Sequence, residues 1–163
     1  SCRARMDEQL FNHVDMDKVN IHVPESLPES PEGECMKFQR EIEKHGGIDL
    51  QVLGIGQNGH IAFNEPGTPF ETGVYIADVS ENTRNSKISF FGSLERVPRQ
   101  GITMGIKTVM QSKSILLIAK GKEKAEIIKR TLYCPVTTDV PASVLQLHPH
   151  LTVLLDKSAA ASL

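Results

Sequence analysis

The run Asp49-Leu50-Gln51-Val52-Leu53-Gly54-Ile55-Gly56 constrains the fold more than any other stretch of this chain. It is nearly continuous in apolar residues and stops at glycines, as a strand covered on both faces does. Ser114–Ala119 and Leu151–Leu155 repeat the signature, and Val19–Val23 and Val74–Val79 read as shorter strands. Helical periodicity fills the intervals. Residues 3–14 carry Met6, Leu10, Phe11 and Val14. Ser30 and Pro31 open a helix with Cys35, Phe38 and Ile42 on its buried stripe, and Gly46-Gly47 closes it. Residues 122–132 set Ala125, Ile128 and Leu132 on one face. Asp139 with Pro141 starts a last helix carrying Val144, Leu145 and Leu147. Residues 80–99 are polar and give no clear element, apart from Phe90-Phe91, which read as packing.

Apolar strands alternating with amphipathic helices predict an α/β fold with a mainly parallel sheet. Ligands in such sheets sit beyond the carboxyl ends of the strands. Two loops qualify, the one after Ile55 and the one after Ala119. At 163 residues, 39% hydrophobic and 23% charged, the chain fits a single globular domain. Its net charge of −2 supplies no field to attract nucleic acid or an anionic membrane. The lack of Trp argues against a base-stacking platform, and no apolar run approaches the ~20 residues of a membrane span. Cys2, Cys35 and Cys134 have no paired spacing and point to a reducing, cytoplasmic setting. The opening Ser-Cys-Arg-Ala-Arg has no secretory character.

Chemistry concentrates in Leu53-Gly54-Ile55-Gly56-Gln57-Asn58-Gly59-His60-Ile61-Ala62-Phe63-Asn64-Glu65-Pro66-Gly67. His60 and Glu65 are five residues apart, so only a loop or a short turn can bring them together. A carboxylate on one imidazole nitrogen fixes the tautomer and makes the other nitrogen a better base. From pattern alone His60 reads equally as half of such a pair or as a satisfied structural histidine. Lys124 lies just after the Gly121 turn, where helix amides and a cation would jointly favour an anion; by itself it reads as a solvated lysine in a Lys-rich turn. The six His show no metal-ligand spacing, and no cofactor is expected.

The run Gly54–Gly67 resembles the signature of the glucosamine-6-phosphate deaminase (isomerase) family. Leu10–Asp15, Val97-Pro98 with Thr103-Met104-Gly105, Gly121–Ala125 and Leu145–Pro149 are similar to that family as well. The resemblance implies a three-layer α/β/α, Rossmann-like domain over residues 1–163, incomplete at its amino-terminal end. It implies conversion of glucosamine 6-phosphate and water to fructose 6-phosphate and ammonia, in amino-sugar catabolism and without a metal. His60 would shuttle a proton during opening of the pyranose ring, oriented by Glu65. Asn58, at a position that holds Asp in some members, would assist as a neutral amide. Gly59 and Lys124 would contact substrate, Lys124 at its phosphate. The expected partner is a small phosphorylated amino sugar, with no nucleic acid and no membrane, and a homo-oligomer is left open.

Three departures from the family pattern temper these expectations. The family's first strand, its Gly-rich phosphate loop and its Asp-Glu segment are expected upstream of Ser1, which predicts little or no turnover by this chain alone. Ser89 stands where the family usually has a phosphate-binding arginine, with Lys87 nearby in sequence. Cys2-Arg3-Ala4-Arg5 replaces a more aromatic segment. Two other readings follow. One is a 6-phosphogluconolactonase-like hydrolase, against which Phe63-Asn64-Glu65-Pro66-Gly67 speaks. The other is a non-catalytic sugar-phosphate-binding or degenerate homologue.

Overall fold

In the computed structural model, which describes residues 2–26, 28–85 and 88–163, strands and helices alternate from residue 100 onward. In order they are α1 (Cys2–Gln9), α2 (Pro31–Lys44), β1 (Leu50–Leu53), β2 (Tyr75–Asp78), α3 (Glu81–Asn85) and α4 (Ile88–Phe91). Then come β3 (Gln100–Thr103), α5 (Ile106–Met110), β4 (Ser114–Ala119), α6 (Ala125–Tyr133) and β5 (Leu151–Leu155), with short 3-10 turns between them. The three apolar runs form one parallel sheet in the order β1-β4-β5, with Leu53 opposite Leu117 and Leu117 opposite Val153. The fold is mixed α/β, as expected.

The core lies on one face of that sheet. Leu53, Ile115, Leu117 and Ala119 pack there against Ile127 and Ile128 of α6 and Leu145 of the seven-residue 3-10 segment Pro141–Leu147. The other face shows Leu50 (57% exposed), Val52, Ile118 and Leu154. The expectation that residues 49–56 are covered on both faces therefore fails for β1. Its burial alternates, with Gln51 and Leu53 inward and Leu50 and Val52 outward.

Ser30 caps α2 as read: its hydroxyl accepts from Gly33 N–H at 3.1 Å, and Pro31 takes the first turn. Ser30→Ala is expected to cost about 1 kcal/mol in urea unfolding. Two local readings are corrected. The amphipathic helix over residues 3–14 stops at Gln9, because Leu10 leaves helical geometry (φ −136°) and a 3-10 turn, Phe11–His13, follows. Val19–Val23 is no strand. Asp17 accepts from Val19 N–H at 3.1 Å and winds Lys18–Asn20 into a 3-10 turn, with Val19 exposed.

A second, two-stranded sheet lies beside the first. β2 and β3 pair antiparallel, Tyr75 opposite Thr103 and Asp78 opposite Gln100, and the polar stretch between them holds α3 and α4. Phe90 and Phe91 make an edge-to-face contact at 5.0 Å, with Phe90 also under the Arg5 guanidinium. This ribbon abuts the loop that leaves β1.

Candidate active site

β1 ends into a loop that closes on itself. Gly56 N–H donates to the His60 carbonyl (2.9 Å) and Gly59 N–H to the Gly56 carbonyl (3.1 Å). Two glycines here are sterically required. A Cβ on Gly56 would lie 2.2 Å from His60 Cε1, so the imidazole occupies the space a side chain would take. Gly59 adopts φ +87°, and a Cβ there would meet Val140 Cγ1 at 2.8 Å. The N–H and C=O of Gly59 are engaged within the protein, the carbonyl by Ala142 N–H at 2.9 Å. Ile61, fully buried, then anchors a tight reversal through Ala62 (φ +54°) and the Ile61–Asn64 bridge.

That reversal brings the predicted trio together. Asn58 Nδ2 donates to Glu65 Oε2 at 2.7 Å, and Asn58 Oδ1 lies 2.8 Å from His60 Nδ1. Glu65 Oε2 is itself 3.5 Å from His60 Nδ1. The carboxylate only accepts, so the amide must turn its NH₂ to Glu65 and its oxygen to the ring. The oxygen in turn requires a proton on Nδ1. The hydrogen-bond network thus assigns the Nδ1–H tautomer and leaves the Nε2 lone pair free.

The electrostatics favour the same state. Burial is the largest influence and pushes the His60 pKa below its ordinary 6.5; the Glu65 charge opposes this and the Lys124 charge reinforces it. Lys124, at the end of the 3-10 turn Lys122–Lys124 and just before α6, is therefore within electrostatic reach of His60. Its turn is held from just past β5, where Asp156 accepts from Gly121 N–H at 3.1 Å. The arrangement is a neutral imidazole base beside a lysine at a helix start. That combination can move a proton on a substrate whose other end is an anion.

Among the other sequence-singled positions, Ser89 is exposed on α4, and Lys87 lies outside the described residues. Sequence reasoning missed three neighbours that brace the loop. Tyr75 donates its hydroxyl to the Phe63 carbonyl (3.3 Å) and Thr103 Oγ1 accepts from Phe63 N–H (3.3 Å). Asn64 is wholly buried. Only Asn64 carried a usable signal, an amide fixed between Phe63 and Glu65.

A sequence model of the family described as glucosamine-6-phosphate isomerases/6-phosphogluconolactonase matches residues 1–154. A protein of Thermoanaerobacter pseudethanolicus named glucosamine-6-phosphate deaminase is 51% identical over 156 residues, covering 96% of this chain and 62% of that protein. A solved structure described as a monomeric glucosamine-6-phosphate deaminase superposes with a TM-score of 0.94 at 39% identity, over 98% of this chain and 66% of that one. A 6-phosphogluconolactonase from Thermotoga maritima reaches a TM-score of 0.66 at 26% identity, over 92% and 62%. The chain spans roughly three-fifths of the length of the curated relatives it matches.

Proposed function

Because this chain belongs to the family of glucosamine-6-phosphate isomerases and 6-phosphogluconolactonases, we propose that the protein acts in amino-sugar catabolism in the cytoplasm. There it converts glucosamine 6-phosphate and water to fructose 6-phosphate and ammonia, and this chain carries the ring-opening part of the site. The observation that carries the reading is the Asn58–His60–Glu65 cluster at the carboxyl end of the parallel sheet. In ring opening, His60 Nε2 takes the proton of the C1 hydroxyl. The C1–O5 bond breaks as C1=O forms, and the imidazolium returns a proton to O5. Glu65 steadies the transient imidazolium, and Asn58 keeps Nδ1 protonated throughout. Gly59 lets the loop close against Val140 and Ile127 and so sets the direction of His60, and Lys124 with the start of α6 receives the 6-phosphate. Later steps move the C2 proton to C1 and exchange C2=N for C2=O with water. Among the described residues no helix is long and apolar enough to cross a membrane.

The test is ammonia release from glucosamine 6-phosphate, coupled to glutamate dehydrogenase. Exchange between the α and β anomers, followed by NMR, reports ring opening alone. Ammonia release by this chain alone at ordinary enzyme rates would overturn the assignment of ring opening only. Faster anomer exchange without ammonia confines this chain to ring opening. Hydrolysis of 6-phosphogluconolactone with neither of the other signals overturns it in favour of the hydrolase.

The pH dependence has a definite sign. A base whose pKa lies below 6.5 is already neutral at pH 7, so ring opening should be flat there and fall only on acidification past that lowered value. Asn58→Asp puts a second carboxylate beside Nδ1 and is expected to move the acid limb upward. A limb that stays in place in Asn58→Asp would mean His60 is not the group titrating.

A further inference from the structure

Asn64 has no exposure to solvent, yet it is polar. Its Nδ2 donates to two carbonyls, Ile61 at 2.9 Å and Met104 at 2.9 Å, and its own N–H also donates to Ile61, at 3.0 Å. Its Oδ1 has no partner. An unpaired buried acceptor is costly, and an apolar side chain of similar size would avoid that cost. What the amide supplies is a tie between two segments. Ile61 belongs to its own reversal, whereas Met104 follows β3, forty residues away in sequence. The tie sits one residue before Glu65. Thr103 grips the other side of the same segment through Phe63 N–H.

We propose that Asn64 is a positioning residue for this site: its buried amide, bonded to the Ile61 and Met104 carbonyls, holds Glu65 within ionic reach of His60. The proposal rests on reading His60 and Glu65 as the acid–base pair. Without the tie, residues 62–65 keep only the Phe63 bonds to Tyr75 and Thr103 as anchors to the β2–β3 ribbon, and the carboxylate beyond them gains freedom to swing into solvent. The charged groups acting on His60 are Glu65 from its own loop and Lys124 from the turn before α6; Glu65 in turn faces Tyr75 on β2.

The experiment is an NMR titration of the His60 ring in four proteins: the native chain, Asn64→Leu, Glu65→Gln, and the double variant. Leucine has the same branching and number of side-chain heavy atoms as asparagine, adds no charge and cannot donate. The Glu65 charge supports the imidazolium, so Asn64→Leu should lower the His60 pKa toward the value in Glu65→Gln. In the Glu65→Gln background the same substitution should add no further shift, because the carboxylate through which it acts is gone. A folded Asn64→Leu with native His60 titration overturns the proposal, and so does an equal shift in both backgrounds. If Asn64→Leu does not fold, Asn64→Ser is read by the same two criteria. No turnover is needed, so a failed deaminase assay leaves the outcome intact.

Discussion

Replacing His60 with glutamine is expected to slow opening of the sugar ring by ~10²–10⁴-fold, the usual worth of a positioned general base. Glutamine can still fill much of the space above Gly56 and accept a bond, but it cannot take up a proton near neutral pH. The loss should therefore fall on turnover and leave substrate affinity nearly unchanged, since Lys124 and the start of α6 are untouched. Anomer exchange by NMR measures it directly, with circular dichroism to show that the fold persists. A Gln variant that keeps native exchange would leave His60 as a structural residue and would remove the main support for the proposed chemistry.

The second large effect needs no change to any polar side chain. Gly56→Ala places a methyl where the imidazole now lies, 2.2 Å from Cε1 and 2.3 Å from Nδ1. Those distances are far inside van der Waals contact, so the ring or the loop must move. The ring is the softer of the two, because the Gly56–His60 and Gly59–Gly56 backbone bonds and the buried Ile61 hold the loop. Displacing the ring breaks the 2.8 Å contact to Asn58 and turns Nε2 away from substrate. Gly56→Ala is thus expected to approach His60→Gln in lost activity. In thermal unfolding it should cost only the ~1–3 kcal/mol typical of an overpacked site. Full activity in a stable Gly56→Ala protein would show that the ring seat does not define the site.

Much of this was readable from residue order, for identifiable reasons. Strand and helix periods are local and strong in Ser114–Ala119, Leu151–Leu155 and residues 31–44, and each forms as read. The meeting of His60 with Glu65 was conditional on a loop that folds them together, and the Gly59 and Ala62 backbone conformations supply it. What escaped depends on partners distant in sequence or on competing local bonds. Val19–Val23 alternates like a strand, but the Asp17 cap outweighs the alternation. β1 looks two-sided because its outward positions, Leu50 and Val52, are as apolar as an inward set. The anchoring role of Asn64 comes from a carbonyl forty residues away, which no spacing rule reveals.

The outward face of the parallel sheet has a practical consequence for how this chain is assayed. Leu50, Val52, Ile118 and Leu154 are exposed on the three hydrogen-bonded strands, with Ile118 directly opposite Leu154. Dyes such as ANS bind surfaces of this kind, and their fluorescence is commonly taken as a sign of molten packing. For this chain a bright dye signal at neutral pH is expected of the intact native state. Loss of near-ultraviolet circular dichroism, not dye binding, is the readout that would distinguish a damaged variant from a sound one.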